Sequence, residues 1–226
     1  TAIETIVIQQ GITSYENHEW RHTRFSKYLV FGKSSKQVLV ASGVKPDLIE
    51  LVGFPSVERD IRLIKRLVVV GQPFHRGAFL SRTRYATLFY NILQNVEKFG
   101  DKRSLQCCFF LHPNQQRDYF LKKTNINLDD SPIAFEEKVR EGDLVIGVSS
   151  TALIAAMGHS IPIVSIVPKD LDHLSYFSFC VETTGDLLVE LLRLTGLTLS
   201  ELKLEVTQQR LSLNNVVAFF GSESSR

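Results

Sequence analysis

The chain is short of nearly everything that marks a specialised class. Its 226 residues hold three cysteines, two of them adjacent at Cys107 and Cys108 inside one apolar run. That number and spacing give no even disulfide framework and no Cys-x-x-Cys metal pattern, so all three are expected to pack as small, buried thiols. An excess of charge is missing as well. The 26 Lys and Arg residues against 24 Asp and Glu leave a net charge of +2, and the basic residues are scattered. Nothing there marks a nucleic-acid partner; peripheral membrane association through a basic patch stays open but has no run of Lys or Arg behind it. No apolar stretch reaches the roughly 18–20 residues that span a bilayer, and no signal peptide heads the sequence. The expected compartment is the cytoplasm, or the inner face of its membrane.

What the sequence does contain is alternation. From Ile6 to Pro55 it reads as a strand, a polar connection from Gly11 to Arg24, a strand over 28–31, a helix over 34–42 and a strand over 48–52. Ser34 or Ser35 can cap that helix, and Gly43 stands where a left-handed C-terminal residue is wanted. After the charged stretch Glu58-Arg59-Asp60-Ile61-Arg62 come strands over 67–70, 107–111, 144–148 and 163–167. Helices over 83–99, 115–122, 135–140 and 151–157 fall between them. Residues 177–181 add an edge strand, and 184–194 and 200–211 read as two further helices. Strand–helix repeats with near-continuous apolar strands predict an α/β fold of Rossmann-like parallel sheets with helices on both faces. The sequence begins without methionine, and its residues 3–8 already read as a buried strand needing neighbours on both sides. A fragment is therefore expected, with residues 1–60 ending one α/β domain and residues 61–226 forming a complete second one.

Three short motifs each follow an apolar strand: Gly71-Gln72-Pro73, His112-Pro113 and Ser149-Ser150-Thr151. Polar groups at the carboxyl ends of buried strands, just before helices, are where an open α/β sheet holds its ligand. His112 can donate a ring N–H to a phosphate, and Pro113 suits a first helical turn, where a missing N–H costs nothing. Alternatively His112 simply bonds a neighbouring carbonyl. The hydroxyls of Ser149, Ser150 and Thr151 with the N–H groups of a helix start can bind phosphate without a Walker lysine; their plain alternative is capping. Gln72 can read a base or a sugar hydroxyl, or Gly71 to Pro73 can be only a turn, with His75 and Arg76 as solvated neighbours. The polar-aromatic stretch from Tyr15 to His22 reads as an exposed loop or as an acceptor-side loop packing against sugars. His18 and His22, four apart, lack a third ligand at metal-site spacing. His159 and His173 are expected to be structural or surface residues.

The Gln-Pro, His-Pro and Ser-Ser-Thr turns together resemble the carboxyl-terminal lobe of bacterial two-lobed GT-B glycosyltransferases. The similarity is to the sialyltransferase, polysialyltransferase and Kdo-transferase groups. Phe31-Gly32, Gly43, Val52-Gly53-Phe54-Pro55 and Asp60 are similar to the inter-lobe segment of many GT-B proteins. The resemblance implies a CMP-linked sugar-acid donor held by Gln72, Pro73, His112, Pro113, Ser149, Ser150 and Thr151. It also implies a glycan or glycolipid acceptor, and residues 61–226 as the nucleotide-sugar lobe behind an acceptor-side lobe in 1–60. One departure matters. Where those groups end a strand in an acidic pair before glycine, this chain has Gln9-Gln10-Gly11, and an amide cannot take a proton. Gln10 then marks the place of the base, and Glu16, His18 and Glu19 are the nearest groups to supply it. Some glycerol-phosphate-transferring relatives carry His-Gly at that turn. No cofactor or divalent metal is expected, Asp129-Asp130 before Ser131-Pro132 reading as turn and cap residues. A CDP-glycerol-type transferase or a nucleotide-sugar epimerase on the same fold is the rival enzyme, and a non-catalytic nucleotide- or sugar-binding module the rival of another class.

Overall fold

The computed structural model describes residues 5–8, 24–71, 82–112, 115, 117, 120, 124–148, 150–167, 180–213 and 219–220. The chain divides into two compact units, one made of Thr1–Glu58 and Arg210–Arg226, the other of Arg59–Gln209. In the first, β1 (Ile6–Ile8), β2 (Lys27–Val30) and β3 (Ile49–Leu51) form a parallel sheet in that order. Helix α1 (Lys33–Ala41) sends Leu39 onto Tyr28, Val30 and Ile49, with Val7 packed alongside. Side chains alternate along a strand, so Val7 faces this core while Ile6 and Ile8 stay 53% and 57% exposed. Among the described residues β1 pairs only with β2. The expectation of a buried strand with two neighbours is therefore corrected. So is the cap of α1: Gly32, in extended backbone, stands there without a side-chain bond, in place of Ser34 or Ser35. Gly43 takes the left-handed φ of +92° that the sequence predicts. The short strand β4 (Phe54–Pro55) pairs in parallel with the last strand, β11 (Phe219–Phe220).

The second unit runs β5 (Arg66–Val70), α2 (Arg82–Arg103), β6 (Gln106–Phe110), β7 (Asn127–Asp129), α3 (Phe135–Lys138), β8 (Asp143–Gly147), α4 (Thr151–Gly158), β9 (Ile163–Ile166), β10 (Cys180–Val181) and α5 (Thr184–Thr195). Helix α6 (Leu199–Ser212) follows. All six strands are parallel, in the order β10-β9-β8-β5-β6-β7. Counted from β5 and read from the β7 edge, this is the Rossmann order 3-2-1-4-5-6, which reverses direction between β5 and β8. The expected fold class is the one observed. Most described elements fall within a few residues of their predicted positions, most of the predicted helix over 115–122 and residues 177–179 lying outside the described residues; β7 is not predicted, because Asn127 and Asp129 carry little strand signature.

One face of this sheet is covered by α2 and α5. Phe89, Ile92, Leu93 and Val96 recur at helical spacing along α2 and meet Leu67, Val69, Phe109, Leu144 and Ile146, with Leu187, Leu191 and Leu194 of α5 completing the layer. Full burial of each such side chain stabilises by about 1.5–3 kcal/mol, an upper bound set by the unfolded reference. The other face carries α4, apolar all round, with residues 153–158 buried throughout. Between β7 and β8 the crossover holds only the single turn α3, which can bury little. Cations on its carbonyls brace it instead. Arg59 donates to the carbonyls of Val139 and Glu136, Arg66 to that of Lys138, and Lys138 to that of Ser131. Arg66 also grips Asp143 through two bonds of 2.7 and 2.6 Å, and the Arg140 N–H donates to the same carboxylate at 2.7 Å.

At the start of β9, beyond the reach of β10, the buried Gln209 of α6 accepts from the Ile163 N–H (3.0 Å) and donates to its carbonyl (3.1 Å), bonding as a strand would. Among the described residues the fully buried Ser165 hydroxyl has no hydrogen-bond partner. Of the cysteines expected to be buried thiols, Cys108 is buried; Cys107 is only half-buried, a correction, and the side chain of Cys180 lies outside the described residues. Burial and the nearby Asp101 and Glu97 push the Cys107 thiol up to about 11, so it stays protonated at neutral pH. Among the described residues no helix is long and apolar enough to cross a membrane.

Candidate functional site

Strands β8, β5 and β6 are neighbours at the centre of the six-stranded sheet, and β5 is where the strand order turns. Ligands of open α/β sheets bind outside the carboxyl ends of the strands at that point. Gly71 leaves β5, His112 stands two residues after β6, and Ser150 and Thr151 open α4 after β8. Two inter-strand spacings separate β8 from β6, about 10 Å, the span of a phosphorylated sugar or a nucleotide's diphosphate end.

The start of α4 is built by Ser150. It is buried and extended, and its hydroxyl oxygen accepts the Ala152 N–H at 3.3 Å while its carbonyl accepts the Leu153 N–H at 3.0 Å. The capping alternative is therefore realised for Ser150. Capping uses the oxygen lone pair and leaves the hydroxyl proton to donate, so it is compatible with an anion at the positive end of the helix. Just before this turn Gly147 permits a close approach: a Cβ there would stand 2.6 Å from Val70 Cγ2 of the neighbouring strand end.

His112 is half-buried. Its main chain is held by Gln115, whose Oε1 accepts the His112 N–H at 2.9 Å and whose own N–H donates to the His112 carbonyl at 2.7 Å. The sequence predicts a helix starting at Gln115, which does not assign it this role; the signal for it is an amide three residues after a strand-end histidine. The pair abuts β5, since the Gly71 N–H donates to the Phe110 carbonyl at 2.9 Å and a Cβ on Gly71 would fall 1.9 Å from Gln115 Oε1.

The flank beyond β6 carries Asp129. Burial pushes its carboxyl up, but hydrogen bonds from the Ser131 hydroxyl and N–H and from Lys138 outweigh this and hold it below the usual carboxylate range. Asp130 pairs with Arg117 at 2.7 Å. The sequence predicts turn and cap residues here; Asp129 instead ends β7 with its carboxylate turned onto Ser131, Asp130 forms an ion pair, and neither caps α3, whose N-cap is Ala134. His159 is buried at the C-terminus of α4, a structural position.

Of the other residues singled out, Gln10, Glu16, His18, Glu19, Gln72, Pro73, Pro113 and Ser149 lie outside the described residues, as do His22, His75, Arg76 and His173. The described residues hold no cluster of three His, Cys, Asp or Glu fit for a metal ion. The sequence does contain an Asp-x-Asp spacing, Asp170-Leu171-Asp172, against the expectation of a metal-free site; it too is outside the described residues.

No protein-family model matches the chain, and no curated protein does. Solved structures are similar in fold. A candidate UDP-N-acetylglucosamine 2-epimerase from Listeria monocytogenes aligns with a TM-score of 0.56 at 15% identity, over 86% of this chain and 56% of its own. MnaA of Staphylococcus aureus, in a co-structure with UDP, aligns at 0.56 and 10% identity over 86% and 56%. The UDP-GlcNAc 2-epimerase of Neisseria meningitidis, bound to UDP-GlcNAc, aligns at 0.54 and 10% identity over 85% and 59%. The chain thus spans less than three-fifths of the length of each. At these identities the likeness shows the fold, a Rossmann-like arrangement of the GT-B type.

Proposed function

We propose that this chain carries the nucleotide-binding lobe of an enzyme acting on a nucleotide sugar, and that a uridine-diphosphate-linked sugar stands ahead of a CMP-linked sugar acid as its ligand. The observation that carries this reading is the convergence of Gly71, His112 and the Ser150-capped start of α4 at the strand-order reversal of a Rossmann-type sheet. In this reading the N-terminus of α4 and the His112 ring hold the phosphates, the groups on which negative charge sits in any nucleotide sugar. Fold neighbours solved with UDP and with UDP-GlcNAc favour the uridine ligand and an epimerase-type activity. The His-Pro and Ser-Ser-Thr turns favour the second reading, transfer from a CMP-linked donor to a glycan or glycolipid, with residues 61–226 as the donor lobe and 1–60 on the acceptor side.

Titration calorimetry with UDP, UDP-GlcNAc, CMP and a CMP-linked sugar acid separates these, followed by proton NMR for a change at the sugar. Saturable binding of UDP and UDP-GlcNAc with weak or no CMP binding is the expected result. CMP preferred over UDP moves the assignment to the transferase reading, and binding without turnover by the full-length protein makes it a binding module. No response to any of the four at millimolar concentration overturns the nucleotide site.

A further inference from the structure

We propose that Gln115 is the positioning residue of the nucleotide site: its neutral amide fixes His112 at the end of β6, and Gly71 is a glycine because that amide occupies the space its side chain would fill. The inference rests on the nucleotide reading above and adds a residue and a mechanism to it. Three observations carry it. Gln115 closes the turn after β6 twice, once through its main chain at 2.7 Å and once through its side chain at 2.9 Å, both on His112. The same Oε1 lies where a Cβ of Gly71 would be, at 1.9 Å, with the His112 nitrogen 3.0 Å from that Cβ. A separation of 1.9 Å is far inside van der Waals contact, so any side chain at position 71 expels the amide from the His112 N–H. The ends of β5 and β6 are therefore interlocked by one side chain. Loops set a site residue only as well as their supporting bonds hold them, and a shift of about 1 Å is enough to spoil a phosphate contact.

Neutrality matters as well as shape. A glutamate at position 115 has the same reach and can accept the His112 N–H equally well, but it sets a negative charge beside the intended place of the phosphates. At a separation of about 6 Å in a partly solvated site this lowers anion affinity roughly tenfold. An amide accepts the hydrogen bond without that repulsion.

The test compares four variants of the protein, Gln115→Glu, Gln115→Met, Gly71→Ala and Gly71→Ala with Gln115→Ala, by UDP calorimetry, thermal melting and the His112 ring proton resonances. Gln115→Glu is expected to keep the wild-type melting temperature and ring shifts yet bind UDP about tenfold more weakly, with the deficit shrinking as salt rises. Gln115→Met loses the acceptor and is expected to move the His112 resonances and weaken UDP binding at every salt concentration. Gly71→Ala should weaken UDP binding and move the His112 resonances as Gln115→Met does, and adding Gln115→Ala to it should cause little further loss, because both changes remove the same amide from the His112 N–H. Should Gly71→Ala fail to fold, the two single Gln115 variants still decide the matter. Wild-type UDP binding together with wild-type affinity and unshifted His112 resonances in both of them overturns the positioning role and leaves the nucleotide site standing. A wild-type protein that binds no nucleotide overturns both.

Discussion

Replacing Asp143 by asparagine should cost the second unit a large part of its stability while leaving nucleotide affinity alone. The Asp143 carboxylate is 2% exposed and Arg66 is 13% exposed, so water offsets the acid hardly at all and the guanidinium only in part. Between them run two hydrogen bonds of 2.7 and 2.6 Å, and the Arg140 N–H adds a third contact at 2.7 Å. Asparagine keeps the shape and one acceptor oxygen but removes the charge and sets an NH2 donor against the Arg66 guanidinium or the Arg140 N–H, leaving Arg66 otherwise with the Lys138 carbonyl and the Phe110 ring, 5.7 Å away. Breaking one side of a buried pair costs about 3–5 kcal/mol. For a unit of about 150 residues, at 2–4 °C per kcal/mol, this lowers the melting temperature by roughly 6–20 °C. Arg66 and Asp143 open their strands, so they stand about 13 Å, four residue rises, from the carboxyl-end site. UDP affinity measured well below the melting transition should then change by less than about twofold. The control is Arg66→Met with Asp143→Leu, which removes both charges and should recover most of the loss. A single variant that loses less than about 1 kcal/mol, or a double variant no better than the single one, refutes the pair as the brace of the crossover.

Three further outcomes follow from the same geometry. His112→Ala should weaken nucleotide binding about ten- to a hundredfold, the worth of a charge-assisted bond to phosphate, with little change in melting; a much lower melting temperature with unchanged affinity makes His112 a core residue instead. Ser165→Ala should raise stability by about 1 kcal/mol in urea unfolding, because it deletes a buried hydroxyl that has no partner among the described residues, and a loss of stability would reveal a partner for that hydroxyl. Asp129 is held below the ordinary carboxylate range when folded, so its contribution is present above the unfolded value near 4 and disappears as pH falls through the folded one. The stability of wild type over Asp129→Asn should accordingly shrink as pH falls below the unfolded value, and a difference independent of pH would contradict this.

The architecture was legible because β5, β6, β8 and β9 are continuous apolar runs and α2 shows its stripe of Phe89, Ile92, Leu93 and Val96. What sequence could not supply was anything decided by a distant partner. Asn127–Asp129 pairs as β7 only because β6 offers it an edge, and Gln209 satisfies the backbone of Ile163 forty-six residues earlier. The same holds at the candidate site. His112, Ser150 and Thr151 stand out as polar residues at strand ends, whereas Gln115 looks like any solvent-facing amide until the end of β5 is set beside it. The cap of α1 went to Gly32 rather than to either serine because the turn after β2 had already taken extended backbone there.

The all-parallel order also dictates how this chain must come off the ribosome. The central strand β5 pairs with β8, and Arg66 lies opposite Asp143, so half of its hydrogen-bonding edge waits while seventy-seven further residues are synthesised. Until then Leu67–Val70, an apolar segment of high strand propensity, faces water along an open edge. Loop closure over that distance is slow compared with the collapse of local structure. Nascent chains arrested before Asp143 should therefore be the species that recruit holding chaperones, and completion of β8 the step that releases them.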